Sequence, residues 1–212
     1  MIDILGIAFV AALFSMDVTA FGQCMVSRPI VCASVFGYLL GDPVAGIWIG
    51  IIVEMIWVNT IPMGAAIPQD TTAIAILATV WGILGMSGNR AAMMLALALA
   101  VPAGILYQFI DIKMRYFNIR VAHWVENGLK KGNETRIGQG IAAGLALSFI
   151  KAFVFYAFLV IPGKLLVQDV FLHLSAPAIA GLESAWRLLP LAGLGVLLAN
   201  FSYGRLPYGR NR

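Results

Sequence analysis

The stretch GIWIGIIVEMIWVNTIPMGAAIPQD, residues 46–70, decides how the chain is interpreted. Its first half is as apolar as a membrane span, yet Glu54 stands in the middle of it. A charged side chain in lipid costs about 2.5–3.5 kcal/mol, so Glu54 must face protein or water. The second half contains two prolines and Asp70, and it breaks the apolar pattern. Irregular backbone at membrane depth is tolerated only in a protein interior or a cavity, so the stretch predicts a polar site inside a membrane protein.

The composition of the whole chain also indicates a membrane protein. Of the 212 residues, 61% are hydrophobic and 11% are charged, whereas a soluble domain carries about 25% charged residues. A soluble domain of this length could not bury so much apolar surface. The apolar runs are continuous and do not alternate, which favours membrane helices over a barrel. We therefore predict an all-α, polytopic transmembrane protein with broken or re-entrant helices, folded as a single membrane domain over residues 1–212.

The first 110 residues contain short apolar runs that prolines and glycines interrupt. The run 4–16 follows an acidic start, so it predicts a retained first span and not a signal peptide. The run 29–40 holds about twelve apolar residues, whereas a full crossing needs about 20. It therefore predicts one half of a re-entrant hairpin or a buried broken helix, followed by the nearly span-long run 43–61. Residues 1–110 are thus predicted to hold the site.

The second half of the chain changes character at residues 111–136, where bases and aromatics alternate with apolar residues. This pattern is typical of a helix on a membrane surface. The positive-inside rule places this amphipathic loop and the basic C-terminus in the cytoplasm. The C-terminal spans, within residues 137–212, would then be 137–161 and 188–203. Lys151, inside the first of them, is expected to snorkel or to pair within the bundle.

Polar side chains accompany Glu54, and they leave two interpretations open. Arg28 is its natural counter-ion, so the pair could be a structural one that fixes packing. The other interpretation is a site for a polar substrate, because carboxylates and amides form paired hydrogen bonds that suit vicinal hydroxyls. The side chains predicted to line such a site are Glu54, Asn59, Gln69, Asp70 and Thr71. Trp48 and Trp57 either stack on a sugar ring or lie at the membrane interface.

Other kinds of chemistry are not indicated. The two cysteines and two histidines are too few for a disulfide framework or a metal site, so no metal and no cofactor is expected. His123 and His173 are expected to be structural or solvated, and no catalytic residue is assigned. No basic patch interleaved with aromatics appears, so nucleic acid is not an expected partner.

Several motifs at their mutual spacings resemble the enzyme IIC permease subunit of the mannose/fructose/sorbose family of the sugar phosphotransferase system (PTS). They are Arg28-Pro29, Leu40-Gly41-Asp42, the glycine-flanked run from Gly46 to Gly50, Glu54 to Ile56, and Gly64-Ala65-Ala66 followed by Asp70. The resemblance covers about the first hundred residues, and the rest agrees mainly in hydropathy. Pro68-Gln69-Asp70 departs from the usual Pro-Asp, and the C-terminal part is shorter than is typical.

The resemblance implies a multi-pass subunit of the inner membrane that binds a mannose-, fructose- or sorbose-type sugar and presents it to a phosphorylated IIB protein. It implies partnership with an enzyme IID membrane subunit, the IIA and IIB phosphocarriers, membrane lipid and further subunits in an oligomer. It also implies that Glu54 and Asp70 lie in or near the sugar pocket. Two alternatives stay open: an ion-coupled small-solute transporter, or a non-transporting membrane partner that senses PTS proteins.

Overall fold

The computed structural model describes residues 3–18, 20, 22–58 and 69–203, the last four of these by their backbone alone. Within these residues every regular element is an α-helix, which confirms the all-α prediction. The described helices, in chain order, are α1 (Ile4–Met16), α2 (Pro29–Leu40), α3 (Pro43–Ile56), α4 (Thr71–Met86), α5 (Arg90–Leu129), α6 (Thr135–His173) and α7 (Ala176–Tyr203). Of the described helices, α5, α6 and α7 are long and apolar enough to cross a membrane, while α1 to α4 are shorter apolar helices.

Helices α2 and α3 form a hairpin of two short helices, in which α3 ends at Ile56 and is shorter than the indicated run 43–61. Each begins with proline, whose fixed φ suits the first helical position. Gly41 ends α2 with φ +88°, a conformation that favours glycine, and Asp42 then caps α3 by accepting from the Ala45 N–H at 3.0 Å. The helices touch through backbone, because a Cβ at Gly50 would lie 2.8 Å from Ile30 Cα.

Helix α4 is the centre of the bundle, and nearly all of its residues from Thr72 to Ile83 are buried. It packs against α2, α5 and α6. Trp81 fixes α4 to α6, because its indole N–H donates to the Leu159 carbonyl at 3.0 Å. The indole lies directly against Gly163, where an added Cβ would overlap the ring. A glycine at this point therefore makes room for the largest side chain of α4.

Helices α5 and α6 are antiparallel, and α6 is longer than the span 137–161 that the sequence indicated. Helix α5 continues through Asp111 without a break, supported by an ion pair between Asp111 and Arg115 at 2.9 Å, one turn apart. Residues 111–129 are therefore helical, as predicted, but continuous with the apolar run before them. The cytoplasmic placement of 111–136 stays a prediction.

The junction between α6 and α7 lies just before Pro177. Helix α6 runs through Pro162 to His173, and α7 begins at Ala176. Pro177 is thus in the first turn of α7, where its missing N–H leaves no helix hydrogen bond unmade. The stretch 163–187 is thus the end of one helix and the start of the next.

Lys151 pairs within the bundle, as predicted. Its Nζ lies 2.6 Å from Asp111 Oδ1 and 4.7 Å from the centre of the Tyr107 ring, and its side chain is only 10% exposed. A second polar contact, between Ser15 Oγ and Tyr156 Oη at 2.8 Å, ties α1 to the same part of α6. Buried polar contacts of this kind fix how helices pack where apolar side chains alone would allow sliding.

Candidate functional site

The candidate site lies where α2 and α4 begin and α3 ends. Thr72 Oγ1 donates to the Ser27 carbonyl at 2.8 Å, and this bond joins the segment before α2 to the first turn of α4. The N-termini of both helices therefore lie at the same end of the bundle. Each helix start has N–H groups without a partner in its own helix and a positive dipole end, so carboxylates and hydroxyls are stabilised there.

Glu54 and Arg28 meet at this end. Arg28 Nη1 lies 3.1 Å from Glu54 Oε1, and the Ile30 N–H in the first turn of α2 donates to Glu54 Oε2 at 3.5 Å. The Glu54 side chain is 24% exposed and that of Arg28 is 52% exposed. The pair is thus held in place, and both side chains remain partly exposed.

Asp70 has a structural contact of its own. Its Oδ1 accepts from the Ala73 N–H at 2.8 Å, so it is the N-cap of α4. Gln69 and Thr71 flank it and, like Asp70, are half-buried. The structure thus places these three predicted residues at the end of the bundle that also holds Glu54. Asn59, the remaining predicted residue, lies outside the described residues.

Asp17, which no sequence motif marked, also lies at this end of the molecule. Its carboxylate accepts from the Cys24 N–H at 2.7 Å and the Ser27 N–H at 3.0 Å. The Ser27 bond is the main cause that holds the pKa of Asp17 below its usual value. The segment it ties down contains Met25 with φ +62°, an uncommon conformation for a long side chain. Asp17 therefore positions the residues that lead into Arg28.

The tryptophans Trp48 and Trp57 lie at different parts of α3. Trp57 is the C-cap of the helix and lies three residues from Glu54. Trp48 instead lines a cleft near the turn of the hairpin, together with Asp42. Trp57 therefore lies at the Glu54 end of α3, and Trp48 lies nearer the other end.

Comparison with known proteins assigns the chain to a family. The model of the family described as "PTS system sorbose-specific iic component" matches residues 1–203. The chain therefore belongs to the sorbose-type IIC family of the sugar phosphotransferase system, and it is a multi-pass, α-helical protein of the inner membrane.

One similar relative is the "PTS system mannose-specific EIIC component" of Escherichia coli (strain K12), 31% identical over 110 residues. The match covers 52% of this chain and 40% of that relative, so less than half of the relative's length is matched. Two solved structures share the fold at 22% identity, each over 97% of this chain. The first, described as "Structure of membrane protein", has a TM-score of 0.76 over 81% of its chain. The second, the mannose transporter ManYZ in complex with microcin E492, has a TM-score of 0.65 over 79% of its chain.

Proposed function

We propose that the chain is the sugar-binding permease subunit of a phosphoenolpyruvate-dependent PTS, and that it translocates a mannose-, fructose- or sorbose-type hexose. The observation that carries the proposal is the accessible Glu54–Arg28 pair at the joined starts of α2 and α4. It acts with an enzyme IID membrane subunit in an oligomer within the lipid, and a phosphorylated IIB protein, charged by IIA, phosphorylates the sugar. Membership of the IIC family supports these partners.

Neighbouring hydroxyls of a hexose suit the groups at this end of the bundle. The Glu54 carboxylate accepts hydrogen bonds and the Arg28 guanidinium donates them, so the pair can bind two adjacent hydroxyls. Gln69 and Thr71 add an amide and a hydroxyl beside Asp70.

Product release follows from the charge at the site. Glu54, Asp70 and Asp17 carry three formal negative charges and Arg28 one positive charge, which leaves two negative charges. A neutral hexose is indifferent to this excess, whereas a sugar phosphate is repelled by it. Phosphorylation therefore makes uptake directional without an ion gradient.

The test is Glu54→Gln, which keeps the size of the side chain and removes its charge. A hydrogen bond to a charged group is worth about 1.5–3 kcal/mol, and about 1.4 kcal/mol is a factor of ten in affinity. We expect hexose affinity to fall roughly tenfold or more, with Tm little changed. Glu126→Gln is the matched control, because Glu126 is an exposed glutamate paired with Lys130 far along α5. Unchanged affinity with a lowered Tm would show that Glu54 is only a structural counter-ion of Arg28.

The same preparation separates the alternatives. Uptake that a protonophore abolishes while the phosphoryl donor remains intact would favour the ion-coupled transporter. Binding of IIB without any hexose affinity would favour the membrane sensor. Uptake that needs the phosphoryl donor and is indifferent to the protonophore is the result we expect.

A further inference from the structure

A cleft at the other end of the bundle is not used by the proposed site. It lies where the turn of the α2/α3 hairpin, the turn between α4 and α5, and α7 come together, and it measures about 400 Å³. Small-molecule sites occupy about 300–1,000 Å³, so a monosaccharide fits this volume. Its walls include two indoles, two guanidinium groups and one carboxylate. These are Trp48, Trp186, Arg90, Arg187 and Asp42.

The lining is assembled from distant parts of the chain. Trp48 comes from α3, whereas Trp186 comes from α7. Gly88 has φ +76° in the turn that leads into Arg90, and buried Met93 forms part of the apolar wall. Trp48 is 43% exposed. A tryptophan that only anchors the protein at the membrane interface has no need of a second indole on the same cleft.

The charges around the cleft cancel. Arg90 and Arg187 also line an adjoining depression that contains Glu183. With Asp42 in the cleft and Glu183 in the adjoining depression, two guanidinium groups and two carboxylates line the two together, and their summed formal charge is zero. This balance favours a neutral ligand over an anion or a cation. Flat indole faces suit the C–H face of a sugar ring, and forked guanidinium donors suit adjacent hydroxyls.

We propose that this cleft is a second saccharide site that binds a neutral hexose independently of Glu54. Helix α4 has 16 residues, begins at the Glu54 end and finishes beside the cleft. At about 1.5 Å per residue, roughly 24 Å separate the two ends, too far for one hexose to touch both. That the same sugar passes from the cleft to the Glu54 site rests on the proposed function.

The experiment is ¹⁹F NMR of the full chain labelled with 5-fluorotryptophan, titrated with D-mannose, D-fructose and L-sorbose. The five tryptophan signals are assigned by single Trp→Phe variants. We expect the Trp48 and Trp186 signals to shift with at least one hexose, in the wild type and equally in Glu54→Gln. Trp124 is the control, because it lies on the far part of α5 beneath Arg136.

A charge variant sharpens the result. Arg187→Gln should weaken the titration seen at Trp186 about tenfold, the effect of losing a charge-assisted bond, while Arg120→Gln leaves it unchanged. The signal of buried Trp81 confirms that each variant is folded. Trp48 and Trp186 signals that stay fixed at saturating concentrations of all three hexoses would overturn the proposal, whatever happens at Glu54. A shift that disappears in Glu54→Gln would overturn the independence of the two sites while leaving the proposed function standing.

Discussion

Replacing Gly50 by alanine tests whether the close approach of α2 and α3 positions the candidate site. Gly50 faces the first turn of α2, and an added Cβ would lie 2.8 Å from Ile30 Cα and 2.9 Å from the Pro29 carbonyl oxygen. Both contacts are to backbone, so no side-chain rotation can relieve them. Glu54 stands one helical turn further along α3, next to Arg28. The methyl group should therefore push α3 outward where the pair forms.

The size of the effect follows from the geometry. Ordinary carbon contacts begin at about 3.4–4 Å, so the helices must separate by roughly 0.6–1.2 Å. Overpacking of this kind costs about 1–3 kcal/mol. The substitution also stabilises the helix by about 1 kcal/mol, because alanine has a higher helix propensity than glycine. A control variant should gain the same helix propensity from alanine but place its Cβ against no other helix. The difference in stability between the two variants then gives the cost of overpacking at Gly50.

Gly138→Ala in α6 is that control, because a Cβ there meets nothing within 4 Å. Thermal unfolding of the two variants should differ by about 1–3 kcal/mol, or about 2–4 °C of Tm for each kcal/mol in a protein of this size. Hexose affinity should fall in Gly50→Ala and remain unchanged in Gly138→Ala. If Gly50→Ala unfolds at the same temperature as Gly138→Ala and binds hexose normally, the close approach does not position Glu54.

Two further predictions concern the long helices. Asp111→Asn should destabilise the protein more than Lys151→Met does. Asp111 keeps its bond to Arg115 when Lys151 is lost, whereas the buried ammonium loses the one described carboxylate within ion-pair distance of it. Equal losses of Tm would contradict this. The second prediction uses a chain whose own cysteines are replaced and a membrane-impermeant thiol reagent added to whole cells. The reagent should miss Asn133→Cys, since the positive-inside rule places 111–136 in the cytoplasm. It should label Asp169→Cys, which lies between the two predicted C-terminal spans. Labelling of Asn133→Cys would reject that topology.

The short helix α2 and the Arg28–Glu54 pair were predictable from the sequence because their determinants are local. A run of twelve residues from Pro29 is too short to cross a membrane, and the proline starts and the Gly41 stop are visible in one stretch of chain. A carboxylate among apolar residues, as at Glu54, also has few explanations. The structure places the charge of Arg28 beside it, as the sequence suggested.

Other features depend on contacts that no local pattern contains. The change of composition at Asp111 concealed an unbroken helix, because polarity reports the surroundings of side chains and not the continuity of the backbone. Asp17 gains its role only when the segment around Ser27 folds back over it. Trp48 and Trp186 share a cleft because α7 returns to the hairpin turn, and that return is a property of the whole fold.

The contact between Trp81 and Gly163 has a consequence for how this family diverges. Because any Cβ at position 163 would overlap the indole, neither position can change alone without opening the α4–α6 interface. The indole also occupies the Leu159 carbonyl through its N–H, so a smaller residue at position 81 would leave an empty space and an acceptor with one bond fewer. Substitutions at 81 and 163 should therefore be inherited together, with a bulky residue at one matched by glycine at the other. Covariation of positions 81 and 163 across relatives would show that this interface has been kept by compensating substitutions.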